Sequence, residues 1–312
     1  MAHSHGLVFA AKHAILLFVG LSLITMVALT ITLSPHSLTR YFLDIGKHLD
    51  KISYGTATAP EHPIDITSKV AIITDTTFTD RHIPLILHFN AVLGPTWPII
   101  FFTSQSIADN QLNATSGSSN THAVWNQAVD DGRIQVRIVP DRFNLTTRAG
   151  VNLYLSSRWL WDQLAPARHV LVFQADAIIC ANAHKTVDDF LEYDFIGAPI
   201  SPNASVYNGG LSLRNRTMIM ELFNEGLEFA NEMNTTKDGE DFWFSEKFEE
   251  RGAKLPSAET AMEFACQYQF NMAQKRPVGY HKIHKKASRK ALREIAKWCP
   301  EISLSAPGRL RG

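Results

Sequence analysis

This sequence carries no surplus charge of either sign: 30 Lys and Arg balance 30 Asp and Glu. A chain without basic surplus lacks the electrostatic footprint that sequence-independent nucleic-acid binding requires, leaving room only for a local patch. Cysteine is scarce. The three residues, Cys180, Cys266 and Cys299, have no CxxC spacing, which excludes a disulfide-scaffold toxin and argues against a structural zinc site. No internal repeat is visible, and the one biased tract is the short Ser/Asn-rich stretch 113–121. Charged residues amount to 19% against 45% apolar, which is ordinary globular usage and not that of a disordered or collagen-like chain. At 312 residues the chain can form one large α/β domain with appendages, and its core needs no disulfide to carry it.

What is present begins with an apolar run. Residues 14–33, AILLFVGLSLITMVALTITL, are twenty residues without a charge. At ~1.5 Å per residue they span ~30 Å, the thickness of a bilayer's hydrocarbon core. A cleaved signal peptide has a shorter apolar region, ~7–15 residues, and ends at a small-residue cleavage site. Thr-Leu-Ser-Pro-His is a poor one. The run therefore reads as an uncleaved signal anchor behind a cytoplasmic tail, 1–13, with a cleaved peptide and a buried core helix as rival readings. Lys12 precedes the span while Arg40, Lys47 and Lys51 follow it, so flanking charge does not set the orientation. Five Asn-x-Ser/Thr sequons, at Asn113, Asn144, Asn203, Asn215 and Asn234, all lie beyond the span. They lean toward a lumenal carboxy-terminal portion and a single-pass type II topology, in the Golgi or the ER.

Residues 34–66 read as a stem: a weak amphipathic stretch, YFLDIGKHLDKI, then Pro, Gly and small residues. From 67 onward apolar runs alternate with helical periodicity. Strands are predicted at 70–74, 98–104, 133–140 and 169–176, and helices at 81–94, 121–132 and 145–164. Continuous apolar strands separated by helices argue for a mostly parallel, helix-covered α/β sheet. Ligands of such sheets sit at the carboxyl ends of strands. Two such ends matter here, Thr74-Asp75-Thr76-Thr77 and Gln174-Ala175-Asp176.

Four short motifs could bear chemistry, and each has a plain structural alternative. Asp176 closes a buried strand, where a carboxylate costs desolvation unless something binds it; alone it reads as a turn cap. Asn208-Gly209-Gly210 allows close backbone approach to a ligand, or simply makes a hairpin turn. Glu240 and Asp241 open an amphipathic helix, 240–251, where acids are expected at the start in any case. His281, in PVGYH, becomes a ligand candidate only through its company. The basic stretch 281–297, with interleaved Leu292 and Ile295, reads as a solvated amphipathic helix.

Taken in order, FQAD, EYDFIGAP, YNGGLSLRNR, EDFWF, LPS and PVGYH resemble the GT-A glycosyltransferases. More narrowly they resemble a fungal family of largely uncharacterised GT-A-like domains. LILHFNAVLGPTWPIIFF is similar to that family's first helix and second strand, and the resemblance covers 67–285, leaving 286–312 as a basic tail. It implies a Rossmann-like GT-A fold and transfer of a sugar from a nucleotide-sugar donor to a glycan or glycoprotein acceptor. A GT-A Asp-x-Asp that binds Mn²⁺ or Mg²⁺ and the donor diphosphate maps onto Gln174-Ala175-Asp176, so the first acid is Gln here. The resemblance further implies donor contacts from Thr74, Asp75, Asn208, Gly209 and Gly210. It makes Asp241 the base of an inverting reaction with Glu240 beside it, and His281 a metal or diphosphate ligand. An Arg common in relatives after the first strand is replaced here by Thr77, for which Arg214, Arg148 or Asn152 could compensate. Two other function classes stand beside this one: a nucleotide- or glycan-binding pseudoenzyme of the same fold, and a membrane-anchored scaffold without a concave site.

Overall fold

The computed structural model describes residues 68–112, 122–201, 206–232, 239–267 and 276–306. The chain divides into two compact units, Met1–Thr58 and Ala59–Gly312, and all described residues belong to the second. The expected tail, anchor at 14–33 and stem lie outside the described residues. Among the described residues no helix is long and apolar enough to cross a membrane.

The first four strands form as their branched and aromatic residues predict. They are β1 (Lys69–Thr74), β2 (Ile99–Thr103), β3 (Ile134–Ile138) and β4 (His169–Phe173). β1 and β2 read KVAIIT and IIFFT, and their central residues are fully buried. A side chain of this size contributes ~1.5–3 kcal/mol on burial. Helices α1 (His82–Leu93) and α3 (Ala123–Asp130) make the crossovers between the first three strands. A short turn of helix, α2 (Gln105–Ile107), continues as a π turn after β2. Phe89 of α1 stacks on Phe173 of β4 with ring centroids 3.8 Å apart, which fixes that helix over the sheet.

The six-stranded sheet has the order β3-β2-β1-β4-β7-β6, where β6 is Phe195–Pro199 and β7 is Tyr207–Asn215. Strands β1 to β4 run parallel; β7 runs against them beside β4, and β6, antiparallel to β7, returns to their direction. The chain winds from β1 outward to β3, then returns to lay β4 on the other side of β1. That reversal opens a crevice at the carboxyl ends of β1 and β4, where ligands of such sheets bind. A second sheet, β5-β9-β8, joins β5 (Ala177–Ile179), β9 (Gly279–His281) and β8 (Ala265–Cys266).

Two expectations need correction. The helix expected at 145–164 is two helices, α4 (Arg148–Leu155) and α5 (Arg158–Asp162). Thr147 caps the first and Ser157 the second, each side-chain oxygen accepting from the backbone N–H three residues on. The basic stretch is not one helix either. His281 belongs to β9. A short helix α10 (Ile283–Lys286) follows, and α11 (Arg289–Ala296) starts anew at its Ser288 cap. Leu292 and Ile295 are buried, as their spacing implies. Cys299 forms a disulfide with Cys180, beside β5, so this carboxy-terminal region is fastened to the small sheet. Cys266 is a buried thiol outside that disulfide.

Candidate active site

Two adjoining cavities occupy the crevice. One, of about 350 Å³, lies at the ends of β1 and β4 and is lined by Thr74, Asp75, Tyr154, Gln174 and Asp176 among others. The other, of about 400 Å³, is lined by Asn208, Gly209, Gly210, Asp241, His281 and Lys282 among others. Gln174, Val151 and Leu155 belong to both walls, so the two cavities are lobes of one cleft. All the residues singled out in the sequence come to this cleft or to its supporting layer.

At the β1 end, Thr74 Oγ1 donates to Tyr154 Oη at 3.3 Å. Burial pushes the Tyr154 hydroxyl pKa well up, so it stays protonated. Asp75 is largely committed within the protein. Its Oδ1 accepts from the backbone and side chain of Thr77, both at 2.7 Å, and its Oδ2 lies 3.0 Å from His82 Nε2. Burial works against the charge of Asp75, but the bonds from His82 and Thr77 prevail and hold its pKa below the ordinary value. Asp75 therefore shapes the wall of the first lobe, with little acceptor capacity left for a nucleoside.

Between the lobes stand Gln174, Asp176 and His281, the last two separated by 105 positions. β5 and β9 pair Ala177 with His281, which carries the histidine to the end of β4. His281 Nε2 lies 3.2 Å from Asp176 Oδ1 and 3.1 Å from Gln174 Oε1, and Nδ1 lies 3.2 Å from Gln267 Oε1. Burial lowers the His281 pKa against the pull of Asp176, so the ring is neutral and donates from one nitrogen only. Asp176 can only accept, which puts the proton on Nε2; Gln267 then turns its NH₂ toward Nδ1. Burial raises the Asp176 pKa, but the bond from His281 and the charges of Lys282 and Lys285 outweigh it, leaving a value of about 2.

Lys282 Nζ donates to Gln174 Oε1 at 3.4 Å, and Lys285 Nζ lies 3.8 Å from Asp176 Oδ2. These ammonium groups bear on the Mn²⁺ or Mg²⁺ expected at Asp176 and His281. The available donors are one carboxylate, one imidazole and one amide oxygen, with the ammonium groups of Lys282 and Lys285 facing the carboxylate and the amide. Hard divalent ions favour oxygen-rich sites with more negative charge than this. Among the described residues no group of three His, Cys, Asp or Glu converges in a way that could hold a metal ion. The donor set does not fit a resident divalent ion.

In the second lobe the glycines sit in a strand, not in the loop or hairpin turn expected of them. Pairing of β7 with β6 slips between Gly197 and Ala198, whose partners are Ser212 and Asn208. The residues Gly209 to Leu211 thus bulge from that ladder and re-aim the Asn208 end at the cleft. Both glycines are forced by neighbours. A Cβ on Gly209 would stand 2.4 Å from Arg214 Nη2, and one on Gly210 would stand 2.2 Å from the His281 ring. The Gly209 N–H donates to Asp241 Oδ2 at 2.9 Å, Asn208 Nδ2 lies 3.4 Å from the same oxygen, and Asn208 Oδ1 accepts from Gly210 N–H at 3.0 Å. Asp241 is thereby fixed at the first turn of α8 (Glu240–Glu250).

Glu240 is turned inward. It is 4% exposed and pairs at 2.9 Å with Arg214, which is fully buried among Phe195, Phe244 and Trp161. Burial drives the Glu240 pKa up against the pull of Arg214, helped by the neighbouring Asp241, to about 7. The ion pair underpins Gly209 and Asp241 from below. Arg214 therefore cannot replace a cation at the first strand, which corrects that expectation. Arg148 and Asn152 of α4 do line the second lobe. The sequence pattern missed Tyr154, Gln267, Lys282 and Lys285. Only the lysines carried a signal, their adjacency to His281.

Residues 133–281 match the family described as "Protein of unknown function (DUF5672)". No curated protein matches the sequence. Among solved structures, the apo form of the glycosyltransferase GlyE from Streptococcus pneumoniae is similar at 11% identity and a TM-score of 0.42, over 69% of this chain and 54% of that one. The mannosyltransferase PcManGT from Pyrobaculum calidifontis, in complex with GDP-Man and Mn²⁺, is similar at 12% identity and a TM-score of 0.33, over 52% and 50%. The galactosyltransferase LgtC, in complex with donor and acceptor sugar analogs, gives 12% identity and a TM-score of 0.40, over 68% and 86%. The match thus spans about half the length of the first two structures.

Proposed function

We propose that this chain is a nucleotide-sugar glycosyltransferase of GT-A type, akin to the fungal GT-A-like domains its motifs resemble, that transfers a sugar to a glycan or glycoprotein acceptor. One observation carries the reading. The cleft is bipartite, and a basic, hydrogen-bonding cluster stands where the lobes meet. A nucleoside diphosphate sugar has the same partition: an aromatic base with ribose, a charged diphosphate, and a neutral sugar. The first lobe takes the nucleoside, the cluster at Gln174 the diphosphate, and the second lobe the sugar and the acceptor hydroxyl.

In this mechanism the acceptor oxygen attacks the anomeric carbon and the bond from that carbon to the diphosphate oxygen breaks. The electron pair leaves with the diphosphate, and the hydroxyl proton passes to the Asp241 carboxylate. Asn208 and the Gly209 N–H orient that carboxylate through Oδ2. A positioned base contributes ~10²–10⁴-fold. Glu240 supports Asp241 and does not touch substrate. The test is a donor-hydrolysis and transfer screen of the purified chain across nucleotide sugars, with Asp241→Asn as the diagnostic variant. We expect kcat to fall by ~10²–10⁴-fold with donor affinity nearly unchanged. A variant that turns over as the parent does would remove the base assignment.

A binding-only role on the same fold is the second reading. It is favoured by the hydrogen bonds already committed to Asp241 and by the amide at position 174. Saturable donor binding with no turnover of any donor would establish it. At the leaving-group end, Mn²⁺ or Mg²⁺ arriving with the donor is the alternative source of counter-charge. Residues 14–33 would anchor the chain in the Golgi membrane, type II, with the catalytic portion lumenal.

A further inference from the structure

We propose that Lys282 and Lys285 form a cationic clamp that holds the donor's diphosphate and steadies it as it departs, without a divalent metal. The inference rests on the glycosyltransferase reading and concerns how that site meets its substrate's charge. Position is the first argument. Lys282 lines the second lobe and reaches Gln174, which both lobes share, while Lys285 reaches Asp176 on the first lobe. The Lys282 ammonium group therefore stands at the junction where a bridging diphosphate would lie, and that of the exposed Lys285 stands beside Asp176 at its edge.

Backbone conformation is the second argument. Lys282 is the one described non-glycine residue with a positive φ, 50°. That left-handed geometry is unfavourable for a residue with a Cβ and survives only where the surroundings impose it. Here Lys282 N–H donates to Asp176 O at 3.0 Å and Lys282 O accepts from Lys285 N–H at 2.9 Å. These bonds hold the kinked backbone that turns the chain from β9 into α10. Glycine or asparagine would adopt the conformation more cheaply. The position instead carries a long cation whose tip reaches the cleft.

Charge is the third argument. The cluster comprises one carboxylate, a neutral imidazole, a neutral amide and two ammonium groups, so it is net positive before any ligand arrives. A doubly charged ion would add to that excess. A diphosphate would cancel it. Gln174 fits the same account, because a carboxylate there would compete with phosphate for Lys282, whereas an amide oxygen holds the ammonium group weakly. Asp176 then acts as a positioning residue for His281 and Lys285. As the bond from the anomeric carbon to the diphosphate oxygen breaks, the charge gathering on that oxygen is met by the lysine N–H groups.

The test is calorimetric titration of the full chain with inorganic pyrophosphate, UDP and GDP, in chelator and then in Mn²⁺. The variants are Lys282→Asn, which tolerates the left-handed backbone, Lys282→Arg, Lys285→Gln and Asp176→Asn, each checked by thermal melting. We expect binding in chelator that weakens with salt. Lys282→Asn and Lys285→Gln should each lose about tenfold in affinity or more. Lys282→Arg should retain it, and Asp176→Asn should weaken binding in chelator no more than Lys285→Gln does. Binding that disappears in chelator, returns with Mn²⁺ and is lost in Asp176→Asn overturns the clamp and leaves the glycosyltransferase reading standing. Unchanged affinity in both lysine-removal variants also overturns it; the exposed Lys285 provides that arm even if Lys282→Asn folds poorly. Failure of all three ligands to bind in either condition overturns both readings.

Discussion

Glu240 and Asp241 are adjacent acids with opposite environments, and the contrast decides what each can do. Asp241 faces the cleft and is steadied by the Gly209 N–H, whereas Glu240 is enclosed against Arg214. The folded protein binds Glu240's proton more tightly than an unfolded chain does, with a pKa of about 7 against 4.5. The associated stability is present below the unfolded value and is lost as pH rises through about 7. Lowered values, such as those of His281 and Asp176, act in the opposite direction, but they are common to wild type and a Glu240→Gln variant. The difference in melting temperature between the two proteins therefore isolates Glu240. It should shift in the variant's favour between pH 4.5 and 7.5, by about 2–4 °C per kcal/mol. A difference independent of pH would mean that Glu240 is ionised throughout. From the sequence alone both acids look like helix-start residues. Their divergence depends on Arg214, 26 positions away, and no local pattern records it. The requirement for Gly209 and Gly210 was legible as close approach, but what approaches them, Arg214 and the His281 ring, was not.

Among the elements, the legible ones are those whose residues settle their own fate. VAIIT, IIFF and HVLVF are too apolar and too branched to be anything but buried strands, and they fall where periodicity predicts. The glycines of Asn208-Gly209-Gly210 suggest close approach to a ligand or a hairpin turn, and Tyr207–Asn215 does not show itself as a strand. It is a nine-residue strand because β4 and β6 hydrogen-bond to it on both sides, a tertiary effect stronger than propensity. β5, β8 and β9, at two or three residues each, are too short to show any period, yet they bring His281 to Asp176. The break between α4 and α5 was hidden because the apolar spacing continues through Ser156 and Ser157. There the hydroxyl of Ser157 accepts from Leu160 N–H, and Ser156 donates to Asn152 O at 2.7 Å. Ser157→Ala should cost about 1 kcal/mol in chemical denaturation. Denaturation that matches wild type would show that packing alone, around the buried Leu160 and Trp161, sets the break.

At the scale of the whole molecule, the location of the cleft follows from the order of the strands. Laying β4 beside β1 after winding out to β3 creates the switch point, and the candidate residues gather at it. The sequence supports parallel strands and names the two strand ends, but the neighbour of β1 is a pairing decision that it does not display. The anchor and most of the sequons concern residues beyond those described. Of the two described sequons, Asn215 is buried, caps α6 (Arg216–Asn224) and bonds Asp194, so it cannot carry a glycan. Asn144 is exposed. For the chain expressed in a secretory host we expect resistance to carbonate extraction and faster gel migration after endoglycosidase. Asn144→Gln should remove one step of the mobility shift, and Asn215→Gln none. An unglycosylated, carbonate-extractable protein would remove the type II proposal.

The bond between Cys180 and Cys299 joins positions 119 apart, and Asn208, Gly209, Gly210, Asp241, His281 and Lys282 all lie on the ring of chain it closes. That ring is a covalent macrocycle. A protease that cuts once within it linearises the ring without releasing a piece, so the nicked protein keeps both halves of its cleft tethered to each other. Such a product should run as one band on a non-reducing gel and as two after reduction, while a cut outside 180–299 sheds a fragment in either lane. Matching fragments in both lanes from a cut inside the ring would show that the two thiols are not joined.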